Sequence, residues 1–132
     1  MQSRKGFTIV ELMVVILIIS ILSAASITIL QGKMSASKWT EGKSMMGTIS
    51  TAIRAYTSVS IPPSPPQNIF LDEPNNLGFA RGDLTGAYFE DDDFSFIVTS
   101  IEPLVFTVTA TNAELFPTQY QLNEKGKWIA PP

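Results

Sequence analysis

The sequence predicts an α+β protein: one long N-terminal helix, membrane-embedded in its first half, with a small antiparallel sheet packed on its second half. Three observations lead there. From Leu12 to Leu30 no side chain is charged. Met46, Ile49, Ile53 and Tyr56 recur at spacings of three and four, which places them on one helical face. Beyond Phe94, short runs of β-branched and aromatic residues alternate with turn residues.

Taken in order, residues 1–6 form a short basic leader containing Arg4 and Lys5. Residues 7–30 are apolar apart from Glu11 and a few small hydroxyls. At about 1.5 Å per residue this helix is long enough for a hydrocarbon core of about 30 Å. Residues 31–60 continue the helix but turn amphipathic. Lys38, Glu41 and Lys43 form a polar turn ahead of the apolar stripe, and Arg54 is expected to face away from it. Gly32, Gly42 and Gly47 each weaken a helix by up to about 1 kcal/mol relative to Ala, so the expectation is one slightly soft helix.

Residues 61–132 hold a connector and a small β domain. The segment Ile61-Pro62-Pro63-Ser64-Pro65-Pro66 ends the helix, because proline lacks the amide donor and restricts the residue before it. Asn75-Asn76, Gly78, Gly82-Asp83 and Gly86 then read as loop. Phe94–Ile101 and Leu104–Thr111 read as an antiparallel pair around Glu102-Pro103. Tyr120–Leu122 and Trp128-Ile129 read as two further short strands joined through Glu124-Lys125-Gly126. So few strands need a helix to bury their apolar face, and the Met46–Tyr56 stripe supplies one. Trp39, Phe89, Tyr120 and Trp128 are expected in the core or at subunit contacts.

Composition narrows function. Nine Lys and Arg against twelve Asp and Glu give a net charge of −3, and loss of the first six residues would leave the chain more acidic still. An acidic chain without a basic stripe suits no nucleic acid, whose binding depends on neutralising phosphates. The chain has no Cys and no His. That removes disulfides, thiolate chemistry and the commonest general base and metal ligand. No Ser lies in a Gly-x-Ser-x-Gly motif, and the expectation is a protein that is not an enzyme.

The run Lys5-Gly6-Phe7-Thr8-Ile9-Val10-Glu11-Leu12 is the informative one. A carboxylate costs about 2.5–3.5 kcal/mol at the middle of a membrane helix and less near its end, so Glu11 needs a partner. A cut between Gly6 and Phe7 would create an amine one helical turn away, or in a staggered bundle next to a neighbouring copy's Glu11. Here the sequence resembles the type IV prepilins and pseudopilins. The basic leader, Gly6, Phe7-Thr8, Glu11 and the apolar run look like their class III signal.

The resemblance implies cleavage after Gly6 by a prepilin peptidase, N-methylation of Phe7, and pairing of Glu11 with a neighbour's amine in a filament. It also implies a single-pass protein of the inner membrane, in contact with lipid and an assembly platform, with its soluble part in the periplasm or outside. That protein then polymerises with itself or with other pilin-like subunits in a pilus or pseudopilus. The alternatives are the major subunit of an extended pilus for adhesion, motility or DNA uptake, and a secreted or membrane-anchored enzyme or binding module. An ordinary secretory signal could use Arg4, Lys5 and Ala24-Ala25-Ser26, but Glu11 would then interrupt its apolar stretch to no purpose. A plain signal anchor is the other such reading.

Two departures stand out. Where major pilins often carry Gly and Pro inside the apolar segment, this chain has Ser20 and Thr28, and it lacks the cysteine pair of many such pilins. Both lean towards a pseudopilin or minor subunit. Glu90-Asp91-Asp92-Asp93 is the densest charge run. Major pseudopilins bind calcium in this part of the chain, which makes Asp91, Asp92 and Asp93 candidates, but their spacing is not that of an EF-hand. A solvated acidic turn ahead of Phe94 is the preferred reading, with no cofactor.

Overall fold

A computed structural model describes residues 5–59 and 64–130. Arg4 and the Ile61-Pro62-Pro63 part of the connector lie outside the described residues. Helix α1 spans Ile9–Val59, as one helix despite its three glycines. The chain divides inside it into two compact units, Met1–Met34 and Ser35–Pro132.

In the second unit, strands β1 (Asn68–Phe70) and β2 (Asn76–Phe79) pair in parallel. A 3-10 turn, Asp91–Asp93, leads into β3 (Phe94–Ile101), followed by β4 (Leu104–Thr111), β5 (Gln119–Asn123) and β6 (Trp128–Ile129). These four strands form one antiparallel sheet in the order β3-β4-β5-β6. β3, β4 and β6 have the predicted bounds, and β5 is one residue longer at each end. The β1–β2 ladder was not expected. It is closed by side-chain amides, Asn68 Nδ2 donating to the Pro74 carbonyl and Asn76 Nδ2 to that of Glu73, both at 2.7 Å.

The core is built by two periodicities meeting. Along α1, Trp39, Gly42, Met46, Ile49 and Ile53 are buried, and Tyr56 is half-buried. The stripe therefore reaches two turns further back than Met46. On the sheet, period-2 alternation turns Phe94, Phe106, Val108, Ala110 and Leu122 inward. Register aligns them in rows across the strands, Phe94–Ala110–Tyr120 and Phe96–Val108–Leu122. Helix and sheet residues belong to one cluster. Trp39 lies 5.0 Å from the Phe89 ring and 4.8 Å from that of Tyr120, and its Nε1 donates to the Pro117 carbonyl at 2.8 Å. A buried indole thus keeps its polar end satisfied.

Two glycines permit close approach. A Cβ on Gly42 would stand 2.7 Å from Cζ of Phe89, so the bare helix surface is the seat of that ring. A Cβ on Gly86 would run into the Glu41 carboxylate. That carboxylate accepts from the Tyr88 and Phe89 amides at 2.9 and 3.2 Å, tying the 82–90 loop to the helix.

Arg54 corrects an expectation. It does not face away: its guanidinium lies 5.2 Å from the centre of the Phe106 ring and donates to the Glu124 carbonyl. A long stem one residue past Ile53 covers apolar surface while its charged head stays wet. Lys43 likewise sits 4.1 Å over Tyr120 and 5.5 Å from Trp128, which is exposed rather than core.

Candidate functional site

The first unit is simple in form. Lys5, Gly6 and Phe7 precede the helix without regular structure, all exposed. Among the described residues, nothing lies within 4 Å of where a Gly6 side chain would start. Thr8 is the residue before the helix. Its amide donates to Glu11 Oε2 at 2.9 Å, and its Oγ1 accepts from the Glu11 amide at 3.2 Å. This reciprocal pair is a capping box, which satisfies two of the backbone donors a helix start leaves free and sets a carboxylate at the positive end of the dipole. The Thr-x-x-Glu spacing signals such a cap in the sequence. A reading that looks only for an amine partner misses it.

From Ile9 to Met34 every residue of α1 is exposed, including a nearly continuous series of Ile, Leu, Val and Met. The helix is long and apolar enough to cross a membrane, and it fits a transmembrane anchor. Three of its four hydroxyls are satisfied within the helix. Ser20 donates to the Ile16 carbonyl at 2.7 Å, Ser26 to Leu22 at 2.8 Å and Thr28 to Ala25 at 3.1 Å. Each leaves the helix intact where a Gly or Pro would loosen it, and adds no unpaired polar group to an apolar surface.

Comparison with protein families returns one match, described as "Prokaryotic N-terminal methylation motif", over residues 1–27. The chain carries a type IV pilin class III signal. The match takes in Gly6, Phe7, Thr8 and Glu11 together with most of the apolar run. Comparisons with curated proteins and with solved structures return no match. The class III signal therefore rests on the first unit, while the second unit contributes the α+β arrangement of helix and four-stranded sheet that accompanies it.

The acidic run forms the 3-10 turn and is put to local use. Asp91 accepts from the amides of Gly82 at 2.6 Å and Leu84 at 3.2 Å and from the Thr85 hydroxyl at 3.2 Å. Asp93 accepts from the Glu90 amide at 2.8 Å. Asp92 stands in solvent, 3.8 Å from an Arg81 nitrogen, and Arg81 also bridges Asp72 and Glu73 at 3.3 and 3.1 Å. Among the described residues, no group of three or more His, Cys, Asp or Glu is placed to hold a metal ion. Asp91 is a loop organiser that charge-run reasoning could not single out from its two neighbours.

Proposed function

We propose that this chain is a structural subunit of a type IV pilus-like filament or type II secretion pseudopilus, matured by a prepilin peptidase and assembled through its N-terminal helix. The supporting observation is the class III signal at the head of a helix whose apolar side chains have no partner inside their own unit. Such a surface has two suitable surroundings, lipid before assembly and neighbouring helices after it. In this reading the peptidase cuts between Gly6 and Phe7, Lys5 and Arg4 stay on the cytoplasmic side, and Phe7 is N-methylated. The protein waits in the inner membrane, its soluble unit on the periplasmic or outer side, until an assembly platform adds it to other pilin-like subunits.

The capping box refines the role of Glu11. The Thr8 amide satisfies one carboxylate oxygen before and after the cut, because the cut falls ahead of Phe7. Among the described residues nothing donates to the other oxygen, which leaves it for a neighbour's Phe7 amine, a pairing that offsets the cost of a charge in apolar surroundings. Two variants test the scheme in cells with a prepilin peptidase. Gly6→Val should leave an uncut precursor in the inner membrane, read by N-terminal analysis. Glu11→Ala should be inserted and cut yet missing from sheared filaments. Normal cutting of the first would remove the maturation assignment, and normal incorporation of the second would remove the pairing.

A further inference from the structure

We propose that the soluble units of adjacent copies dock tip to cleft, the Lys125-Gly126-Lys127 turn of one copy entering the acidic cleft beside β3 of the next. This rests on the filament-subunit reading above and adds the surface through which the sheets meet.

The charges of the second unit are segregated by the topology. Between Asp72 and Asp93 there are seven carboxylates and a single cation, Arg81. They gather where β3 begins, at one edge of the sheet. A cleft of about 310 Å³ opens there, with Glu73, Asp91 and Asp92 contributing charge and the Phe96 ring contributing apolar wall, while the Phe70 ring beneath is covered by the Arg81 guanidinium 4.1 Å from its centre. Arg81 offsets part of that charge and leaves the lining net negative. A lysine suits such a cleft, because its methylene stem covers apolar surface while its ammonium meets the carboxylates.

Lysines stand at the opposite corner. The β5–β6 connection is a tight turn with Gly126 at φ 75°, and both Lys125 and Lys127 are exposed. The turn is held from beneath by Asn123. Its Oδ1 accepts from the Lys125 and Lys127 amides at 3.1 and 2.9 Å, and its carbonyl accepts from Gly126 at 3.0 Å. A tip fixed in this way loses little freedom on docking. Arg54, donating to the Glu124 carbonyl, adds a third cation beside it, against the one carboxylate of Glu124.

Register fixes the separation. The acidic turn precedes the row Phe94–Ala110–Tyr120, whereas the lysine turn lies past the row Ile97–Thr107–Asn123. The two features are two to three strand spacings apart across the sheet, about 10–14 Å, and a comparable distance apart along it. One copy therefore cannot satisfy itself. Two different patches of opposite sign make a heterologous contact, which repeats from copy to copy and matches open, helical growth.

Because the chain has no cysteine, the contact can be read by disulfide trapping in the full-length protein. Asp92→Cys/Lys125→Cys, expressed as the sole copy and oxidised in sheared filaments, should give a ladder of covalent oligomers on a non-reducing gel, and each single variant should stay monomeric. Lys125→Glu/Lys127→Glu should lower incorporation about tenfold, the effect of setting like charges together, and adding Asp92→Lys should restore it.

Filaments of the double-cysteine variant that yield only monomers overturn the proposal. So do dimers from Asp92→Cys alone, which mean a symmetric contact, and a crosslink to a different subunit, which means another occupant. If the cysteines block assembly, the charge series decides, and unchanged incorporation of Lys125→Glu/Lys127→Glu refutes the docking. Absence of the native chain from any filament would instead overturn the subunit reading, and this inference with it.

Discussion

Replacing Gly42 by alanine should do the opposite of what helix propensity predicts. In an exposed helix interior, alanine is favoured over glycine by about 1 kcal/mol. At position 42 the new Cβ would stand 2.7, 2.9 and 3.0 Å from three atoms of the Phe89 ring. That ring cannot easily give way. It is 1 % exposed, with Trp39 at 5.0 Å and Phe94 at 5.7 Å, and its own amide is held by Glu41. Forcing a methyl into such a site costs about 1–3 kcal/mol, so the propensity gain is at best cancelled.

Gly47, five residues on in the same helix, is the control, since nothing lies within 4 Å of its Cβ position. Gly47→Ala should therefore stabilise the protein. For a unit of this size about 1 kcal/mol corresponds to about 4–8 °C in Tm. In thermal melts of the Ser35–Pro132 unit, which contains the whole buried cluster, Gly47→Ala should melt higher than the parent. Gly42→Ala should melt no higher than the parent, and so at least one such interval below Gly47→Ala. An equal rise for both variants would mean that Phe89 does not seat on the bare helix, and the packing described here would be wrong.

Ile53→Ala in the same unit should cost about 2–5 kcal/mol, because Ile53 is fully buried between helix and sheet; a Tm equal to the parent's would displace the core from this stripe. Thr8→Val keeps shape but removes the cap hydroxyl, so circular dichroism of a lipid-reconstituted 7–34 peptide should show a frayed helix start, at a cost of about 1 kcal/mol, and Thr8→Ser should restore it. Equal helicity in all three would show that the cap is idle. The acidic turn should behave as a solvated loop. The Tm of the Ser35–Pro132 unit should be the same in chelator and in millimolar calcium, whereas a rise with calcium would mean that Asp91, Asp92 or Asp93 binds the ion in the folded state.

What the sequence determined by itself was everything that repeats at short range. The uncharged run from Leu12 to Leu30 set the length of an apolar helix. The spacing of Met46, Ile49 and Ile53 set its buried face, and the β-branched and aromatic runs Phe94–Ile101 and Leu104–Thr111 set the β3–β4 hairpin to the residue. Glu11 was legible as an anomaly, a charge at the head of an apolar segment, and its match to the methylation motif rests on that local spacing.

What only the tertiary structure decided joins residues far apart in the chain. Gly42 reads as a weak point of the helix until Phe89 is found seated on it. Glu41 reads as a solvated charge until the amides of Tyr88 and Phe89, 47 and 48 residues later, are found on its carboxylate, with Gly86 leaving the room. Asp91 is indistinguishable from Asp92 in the sequence, yet one organises a loop and the other stands in water. Periodicity encodes which face a residue presents, because that follows from backbone geometry alone. It does not encode which partner arrives at that face, because the partner is chosen when helix and sheet close on one another.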